Sequence, residues 1–113
     1  MFGEIYYADL QTDESIQGGL RPVIIAQNNA GNKFSGTVGI IPLTSRIKAT
    51  HLPTHIIIPA NSVNGLLCDS MALVEQTTTI PKTRLKTRLG ILDKTVLVAL
   101  GKAHQVEFPF PTK

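Results

Sequence analysis

Short β-favouring runs separated by turn-forming segments constrain the fold of this chain more than any other feature of its sequence. The runs are mainly aliphatic, and the segments between them are rich in Gly, Asn and Ser. Pro22 lies near the start of the second run, where a missing backbone N–H is tolerated in a strand. This spacing is typical of a compact antiparallel barrel or sandwich. We predict strands at residues 3–10, 21–27, 37–43, 54–59 and 70–77.

A repeated tetrad, KTRL-KTRL, occupies residues 82–89. On a helix, Leu85 and Leu89 would share one face, with the basic side chains beside them. So short a segment is marginal as an independent helix, and we expect one or two docked helical turns.

A longer helix is predicted after the tetrad repeat. Asp93 is expected to cap its N-terminus, with Leu92 and Leu97 packed together as a hydrophobic staple. Apolar residues then recur at helical spacing as far as Val106. Gly101 should weaken this helix by about 1 kcal/mol relative to Ala and leave room for a neighbouring element. The sequence therefore predicts one mainly β (α+β) domain over residues 1–113, with a C-terminal helix.

The charge of the chain is unevenly distributed. Its net charge is +3 and its pI is about 9.3. Residues 1–20 contain four acidic residues and no Lys or Arg, whereas all eleven basic residues lie from Arg21 onward. A basic remainder of this kind favours a polyanionic partner.

Several classes of site and location are excluded or disfavoured by composition. Cys68 is the single cysteine, which excludes an intramolecular disulfide and a cysteine-based zinc site; we expect it to be a small buried apolar residue. The acidic N-terminus lacks the basic start and apolar run of a signal peptide. No apolar stretch approaches the ~20 residues that span a bilayer. We therefore expect a cytoplasmic protein with no membrane association.

Familiar catalytic and metal-binding motifs are absent from the sequence. There is no Walker loop, no GxGxxG and no GxSxG. His51 and His55 are four residues apart, but Pro53 lies between them and no Glu follows His51, so they do not form a helical HExxH zinc motif. His104 is expected to be a surface or packing residue. We predict neither a metal site nor a cofactor.

Polar residues at the ends of the predicted strands are the remaining candidates for a site. Each also has a structural interpretation, as an ion-pair partner, a turn residue or a solvated charge, so spacing alone leaves a shared site open. They are Arg21, Thr44, Ser45, Arg46, Lys48, Glu75 and Gln76.

Five segments of the chain, in order, match a known family. The sequence resembles the MazF/PemK-type toxins, which are sequence-specific endoribonucleases neutralised by a partner antitoxin. This resemblance implies a compact SH3-like β-barrel with added helices, a homodimer, and single-stranded RNA bound in grooves near the dimer interface. The matching segments are GEIYYADL (3–10), QGGLRPVIIAQN (17–28), GNKFSGTVGIIPLTSR (31–46), LPTHIII (52–58) and DSMALVEQTTTIPKTRL (69–85).

The resemblance also implies roles for individual residues. The catalytic arginine of the family falls on Arg21 and its catalytic threonine on Thr44. Many members carry Glu where this chain has Ile16, which puts in doubt any mechanism that needs a carboxylate there. The residues expected to bind the RNA substrate are Gln17, Ser45, Arg46, Pro53, Thr54, Glu75 and Gln76.

The mechanism implied by the family is attack of an RNA 2′-hydroxyl on the adjacent phosphate, giving a 2′,3′-cyclic phosphate and a 5′-hydroxyl. Arg21 suits stabilisation of the added negative charge, because a guanidinium can grip two phosphate oxygens. A guanidinium is a poor general base, and Thr44 can only donate a hydrogen bond. No general base is identified from the sequence.

Two other functions remain possible from the sequence. The related gyrase-poisoning toxins share the fold, bind a protein and cut nothing; the presence of both Arg21 and Thr44 argues against this function. A plain single-strand-binding barrel is disfavoured by the shortage of aromatic residues for base stacking. Specificity for particular bases is expected in the loops at residues 11–20 and 46–53.

Overall fold

Seven strands and one helix form the part of the chain that the structure, a computed structural model, describes: residues 2–10, 20–26, 36–47 and 54–107, with side chains as far as residue 102. Two 3-10 turns, Val74–Gln76 and Lys82–Arg84, join strands near the C-terminus. The strands are β1 (Glu4–Asp9), β2 (Leu20–Ile25), β3 (Thr37–Thr44), β4 (His55–Ile58), β5 (Ser70–Leu73), β6 (Thr78–Pro81) and β7 (Leu85–Ile91), followed by helix α1 (Lys94–Glu107).

All strand pairs are antiparallel and follow the order β4-β5-β3-β2-β1-β7, with β6 also paired to β3. The predicted mainly β fold with a C-terminal helix is therefore confirmed. Within the described ranges, β4 and β7 end the path without pairing to each other, so the sheet is open between them.

Strand β3 is paired along both edges and changes partner along its length. One edge pairs with β2, and the other pairs with β6 over its first half and with β5 at Leu43 and Thr44. The Val74–Gln76 turn connects these two partners. Pro42 lies between the segment of β3 that pairs with β6 and the segment that pairs with β5. A proline has no backbone N–H to donate, and at this position its absence costs the sheet few hydrogen bonds.

The core is aliphatic and lies on both faces of the central strands. Because successive side chains of a strand point to opposite faces, Ile24 belongs to one buried cluster while Val23 and Ile25 belong to another. Each fully buried side chain of this size stabilises the fold by about 1.5–3 kcal/mol. The larger cluster contains Ile5, Ile24, Ile41, Leu43, Ile58, Leu66, Ala72, Val74, Leu92 and Leu100.

Helix α1 begins as the sequence predicts. The Asp93 carboxylate accepts a hydrogen bond from the Val96 N–H at 3.0 Å, so Asp93 is the N-cap. Leu92 is buried in the larger cluster, and Leu97 packs against the same cluster. No helix in the described ranges is long and apolar enough to cross a membrane.

The KTRL repeat is not helical beyond its first residues, and the prediction of docked helical turns over residues 82–89 is wrong. Lys82–Arg84 forms a single 3-10 turn, and β7 begins at Leu85. Leucines four residues apart share a face on a strand as well as on a helix, so the pattern fits both structures. Pairing with β1 decides between them, because it satisfies the backbone groups of both strands. A salt bridge from Arg88 Nε to Glu4 Oε2 at 2.8 Å joins the pair.

Two further predictions differ from the structure in extent. The strand predicted at residues 70–77 ends at Leu73, where the 3-10 turn begins, and β6 is an additional strand. The strand predicted at residues 21–27 begins one residue earlier, at Leu20.

The loop between β4 and β5 crosses β7 at unusually close range. Gly65 has φ +72°, and a Cβ atom there would lie 2.1 Å from the Leu89 carbonyl oxygen. A Cβ atom on Gly90 would lie 2.1 Å from the Val63 carbonyl oxygen. Asn64 is buried between them and donates its side-chain amide to the Pro59 carbonyl at 2.9 Å. Glycine is required at both crossing points because any side chain would meet backbone.

Cys68 lies in this same loop and is exposed, so the expectation of a buried thiol is wrong. Its neighbour Asp69 accepts the Ala60 N–H at 2.8 Å, which holds the two ends of the loop together. The loop is held by these hydrogen bonds and by the buried Leu66, and it leaves Cys68 at the surface.

Gly101 provides a test of helix stability. A Cβ atom at Gly101 would meet nothing within 4 Å in the described structure, so the sequence-based expectation of a close neighbour is not met there. We expect Gly101→Ala to raise the free energy of unfolding by up to about 1 kcal/mol, because glycine is a poor helix former. Urea unfolding measures the change. Gly90→Ala is the control and should destabilise the protein; a loss of stability in Gly101→Ala would contradict the prediction.

Candidate active site

Arg21 and Thr44 lie at the ends of two neighbouring strands. The last pair between β2 and β3 is Val23 with Pro42, and Arg21 and Thr44 each lie two residues beyond it. Both residues are partly buried and line the same groove, which has a volume of about 630 Å³. The antiparallel register therefore brings together two side chains that are 23 positions apart in the sequence.

This groove has an apolar floor and a polar wall. Ile40, Pro42 and Leu43 of β3 form part of the floor, with Leu73 and Ile80 from its neighbours. Strands β2, β3 and β4 and the Val74–Gln76 turn all contribute to the wall. Its polar residues are Arg21, Thr44, Arg46, His55, Glu75, Gln76 and Thr78.

The Thr44 hydroxyl is oriented by the turn that follows β3. Its oxygen accepts a hydrogen bond from the Arg46 backbone N–H at 3.1 Å. A hydroxyl that accepts in this way keeps its own hydrogen for donation to another group. The turn is closed by a second bond, from the Ile47 N–H to the Ser45 carbonyl at 3.1 Å. Thr44 is thus positioned to donate to an oxygen atom in the groove.

The Glu75 carboxylate is held by two side-chain hydrogen bonds. Thr54 Oγ1 donates to its Oε1 at 2.9 Å, and His55 Nε2 lies 2.8 Å from its Oε2. The side chains of His55 and Glu75 are 14% and 23% exposed, and Thr54 as a residue is 5% exposed. Burial alone would raise the pKa of Glu75, but hydrogen bonds from His55, from its own backbone N–H and from Thr54 together hold this pKa below its ordinary value.

The charge of the groove suits an anionic ligand. Neither Arg21 nor Arg46 forms a salt bridge with another residue in the part of the chain that the structure describes. The Glu75 carboxylate in the groove is already paired with His55. Two guanidinium groups therefore face the groove without acidic partners from the described chain, which favours binding of a phosphodiester.

A second, smaller groove adjoins the first at Arg21. Its volume is about 230 Å³, and Tyr7, Ser45, Cys68 and Ser70 contribute its polar lining. Arg21 and Leu43 line both grooves. A chain-like ligand could therefore pass Arg21 and continue into either groove.

Comparison with known proteins identifies the family. The model of the PemK-like, MazF-like toxins of type II toxin–antitoxin systems matches residues 1–106. The chain belongs to this family. Endoribonuclease EndoA of Bacillus subtilis is 40% identical to this toxin over 105 residues, which cover 92% of the toxin and 90% of EndoA. Endoribonuclease MazF of Staphylococcus saprophyticus is 39% identical over 111 residues, which cover 97% and 92%.

Solved structures have the same fold as the toxin. The Mycobacterium tuberculosis toxin MazF-mt6 superposes with a TM-score of 0.79 at 26% identity, over 96% of this chain and 99% of that one. A mycobacterial endoribonuclease in complex with its cognate antitoxin also gives a TM-score of 0.79, at 22% identity, over 100% and 98% of the two chains. The second similarity concerns the fold alone.

The structure brings most of the predicted site residues of the toxin to one place. Arg21, Thr44, Arg46, Glu75 and Gln76 line the larger groove. Ser45 lines the smaller groove, and Thr54 is buried behind Glu75 rather than on the groove wall. Gln17 and Pro53 lie outside the described residues, as does Ile16. Among the described residues, no group of three or more His, Cys, Asp or Glu side chains could hold a metal ion.

His55 and Thr78 are polar groove residues that the sequence analysis does not predict, and His55 is the one with acid–base chemistry. In the sequence, its spacing from His51 raises only a metal site, which Pro53 between them disfavours. One sequence signal was available, since His55 directly follows Thr54 in a segment already assigned to the RNA path. Its pairing with Glu75, twenty residues away, depends on the position of the 3-10 turn.

The lowered pKa of Glu75 predicts a pH-dependent contribution to stability. A carboxyl group whose pKa is lower in the folded state stabilises the fold above its unfolded pKa, and this contribution is lost as the pH falls through the folded value. We therefore expect Glu75→Gln to be less stable than the wild type at pH 7, with the difference disappearing as the pH falls through the lowered folded-state pKa of the carboxyl. Urea unfolding at a series of pH values measures the difference, and a gap independent of pH would contradict the prediction.

Proposed function

We propose that this toxin is a sequence-specific endoribonuclease that cleaves single-stranded RNA in the larger groove without a metal ion. The placement of Arg21 and Thr44 at adjacent strand ends, in a groove whose guanidinium groups have no described acidic partner, is the observation that carries this proposal. The relatives named endoribonucleases support it, because they match 92% and 97% of the chain.

The RNA supplies its own nucleophile. The 2′-oxygen attacks the adjacent phosphorus, the bond to the 5′-oxygen breaks, and the products are a 2′,3′-cyclic phosphate and a 5′-hydroxyl. The pentacoordinate transition state carries additional negative charge on the non-bridging oxygens. Arg21 stabilises this charge with its planar pair of donors, and Thr44 donates its hydroxyl hydrogen to the same phosphate. The reaction as proposed uses neither a metal ion nor a cofactor.

The remaining polar residues bind the RNA chain on either side of the cleaved phosphate. Arg46 adds a second positive charge to the groove, and Gln76 presents an exposed amide to the bases. Ser45 extends the path toward the smaller groove. Thr54 does not contact the RNA directly in this proposal, since its hydroxyl donates a hydrogen bond to Glu75.

A cognate antitoxin is the second partner. Solved relatives of this fold include a mycobacterial endoribonuclease with its antitoxin and a MazE–MazF complex from Deinococcus radiodurans, the latter with a TM-score of 0.76 at 20% identity. An acidic antitoxin segment would pair with the guanidinium groups that RNA also needs. The toxin acts as a homodimer of one-domain subunits in the cytoplasm, where its RNA substrate is found.

A non-enzymatic gyrase-poisoning toxin is not favoured as an alternative. A toxin that acts only by binding a protein has no need of an arginine and a hydroxyl donor lining one groove. In addition, the two relatives that match almost the whole chain are named endoribonucleases.

Cleavage in the presence of excess chelator tests the metal-independent mechanism. We expect cellular RNA to be cut equally with and without EDTA, because the nucleophile is internal and the charge is stabilised by side chains. Mapping of the ends should show 2′,3′-cyclic phosphates and 5′-hydroxyls at one short sequence. Activity lost in EDTA and restored by Mg²⁺ would contradict the mechanism.

Substitution of the two catalytic residues tests the site. Arg21→Ala and Thr44→Ala should each lower the cleavage rate by at least about 10²-fold, since one lost transition-state contact is worth ~2.7–4 kcal/mol. Thr87→Ala, an exposed threonine on β7, is the matched control and should retain full activity. Circular dichroism checks that the variants fold. Wild-type activity in a folded Arg21 or Thr44 variant would remove that residue from the mechanism.

A further inference from the structure

The proposed cyclisation needs a group that removes the proton of the 2′-hydroxyl and a source of a proton for the leaving 5′-oxygen. Arg21 and Arg46 are protonated at neutral pH and cannot serve as bases. The Glu75 carboxylate is engaged by two donors. Among the titratable groups that line the groove in the described chain, His55 is left, and histidine is the side chain best suited to proton transfer near neutral pH.

We propose that His55 is the general base of this toxin and that Glu75 holds its imidazole in the orientation the reaction needs. The inference rests on the proposed ribonuclease function and adds to it a proton-transfer residue that the sequence did not reveal. His55 touches the reacting hydroxyl, directly or through one water molecule, and is the catalytic residue. Glu75 acts through His55 and is a positioning residue.

The hydrogen bond between the two side chains determines which tautomer is present. Because the Glu75 carboxylate accepts, the Nε2 atom of His55 carries the hydrogen of the 2.8 Å bond. In the neutral ring, Nδ1 is then the basic atom. Thr54 holds the other carboxylate oxygen at 2.9 Å, so Glu75 cannot rotate without losing a partner. A carboxylate fixed in this way orients an imidazole and stabilises the imidazolium formed when it takes a proton.

The strand pairing places the His55–Glu75 pair beside the phosphate site. His55 is the first residue of β4 and pairs with Leu73 of β5, and Glu75 follows two residues later. Strand β5 in turn pairs with the end of β3, where Thr44 lies opposite Met71. The base, on β4, is separated by β5 from the hydroxyl donor on β3, which neighbours the arginine on β2, and all three side chains line one groove.

The charged residues that line the groove with His55 are Glu75, Arg21 and Arg46. Helix α1, which packs against β4, contributes the apolar Leu97 and Leu100 to the shared core.

The proposed step is balanced in protons and bonds. The 2′-hydroxyl gives its proton to His55 as its oxygen bonds to phosphorus. The bond from phosphorus to the 5′-oxygen breaks, and the leaving oxygen takes a proton from the imidazolium or from water. His55 ends the cycle neutral, and no oxidant, reductant or metal ion takes part.

A structural role is the competing explanation, in which the pair simply joins β4 to the 3-10 turn. The backbone already makes this connection, because the Val74 N–H donates to the Thr54 carbonyl at 3.1 Å. The two explanations differ in the pH dependence of the rate and in the response to added imidazole.

Single-turnover cleavage of a short RNA, carrying a site first mapped with the wild-type toxin, separates the two roles. We expect His55→Gln to lower the rate by about 10²–10⁴-fold, the usual contribution of acid–base catalysis, and to abolish the fall in log rate at acid pH. Binding of the same RNA with a 2′-deoxy nucleotide at the cleaved position should be unchanged within about twofold, because a lost proton-transfer group affects the chemical step rather than binding. Added imidazole should partly restore cleavage by His55→Ala.

Glu75→Gln tests the positioning role with a residue that keeps the shape of the side chain. Its cleavage rate should fall while RNA binding stays unchanged, because the amide no longer holds the imidazole as the carboxylate does. His104→Gln, a histidine on helix α1, is the matched control and should keep the wild-type profile.

The outcomes distinguish failure of this inference from failure of the proposed function. Cleavage by the wild type with an unchanged rate and pH profile in His55→Gln would overturn the role of His55 and leave the ribonuclease function intact. A second outcome would also overturn the inference and assign the pair a structural role. In this outcome His55→Gln cleaves slowly but keeps the wild-type pH profile, and imidazole does not restore cleavage by His55→Ala. Absence of cleavage by the wild-type toxin would overturn both proposals.

Discussion

Antiparallel pairing of β3 along both of its edges is the constraint on which the rest of this molecule depends. One edge fixes β2 and so places Arg21, while the other is divided between β5 and β6. Between β5 and β6 the chain forms the Val74–Gln76 turn, and this turn places Glu75 within hydrogen-bond distance of His55. The floor of the larger groove is built from β3 itself, so the strand that organises the core also supports the site.

The elements that the sequence predicts well are those whose local pattern and tertiary environment agree. Strands β1 to β4 combine β-favouring residues with clear turn signals, and Asp93 caps α1 by a contact within its own helix. The prediction of a helix at the KTRL repeat is wrong because the spacing of its two leucines fits both a helix and a strand. The choice between helix and strand was made there by β1, a partner more than 70 residues earlier in the chain, and local propensity carries no information about such a partner.

The site was predictable only in part, and for a different reason. Arg21 and Thr44 were assigned by resemblance to a family, and the sequence contains nothing that shows them to be close together. Their proximity follows from the register of β2 and β3, which a single sequence does not determine. The pair formed by His55 and Glu75 is further from prediction, because it depends on a register and on a 3-10 turn in a segment expected to be strand.

The distribution of partners within the groove links activity to its control. Glu75 has its hydrogen-bond partners within the toxin, whereas Arg21 and Arg46 have no acidic partner in the described chain. Two guanidinium groups without an acidic partner among the described residues attract a phosphodiester and, by the same physics, the carboxylates of an acidic segment. RNA and antitoxin would therefore compete for the charges that we propose stabilise the transition state. A substitution of Arg21 that weakened an antitoxin would weaken cleavage as well, so escape from inhibition has to come from residues outside the phosphate site.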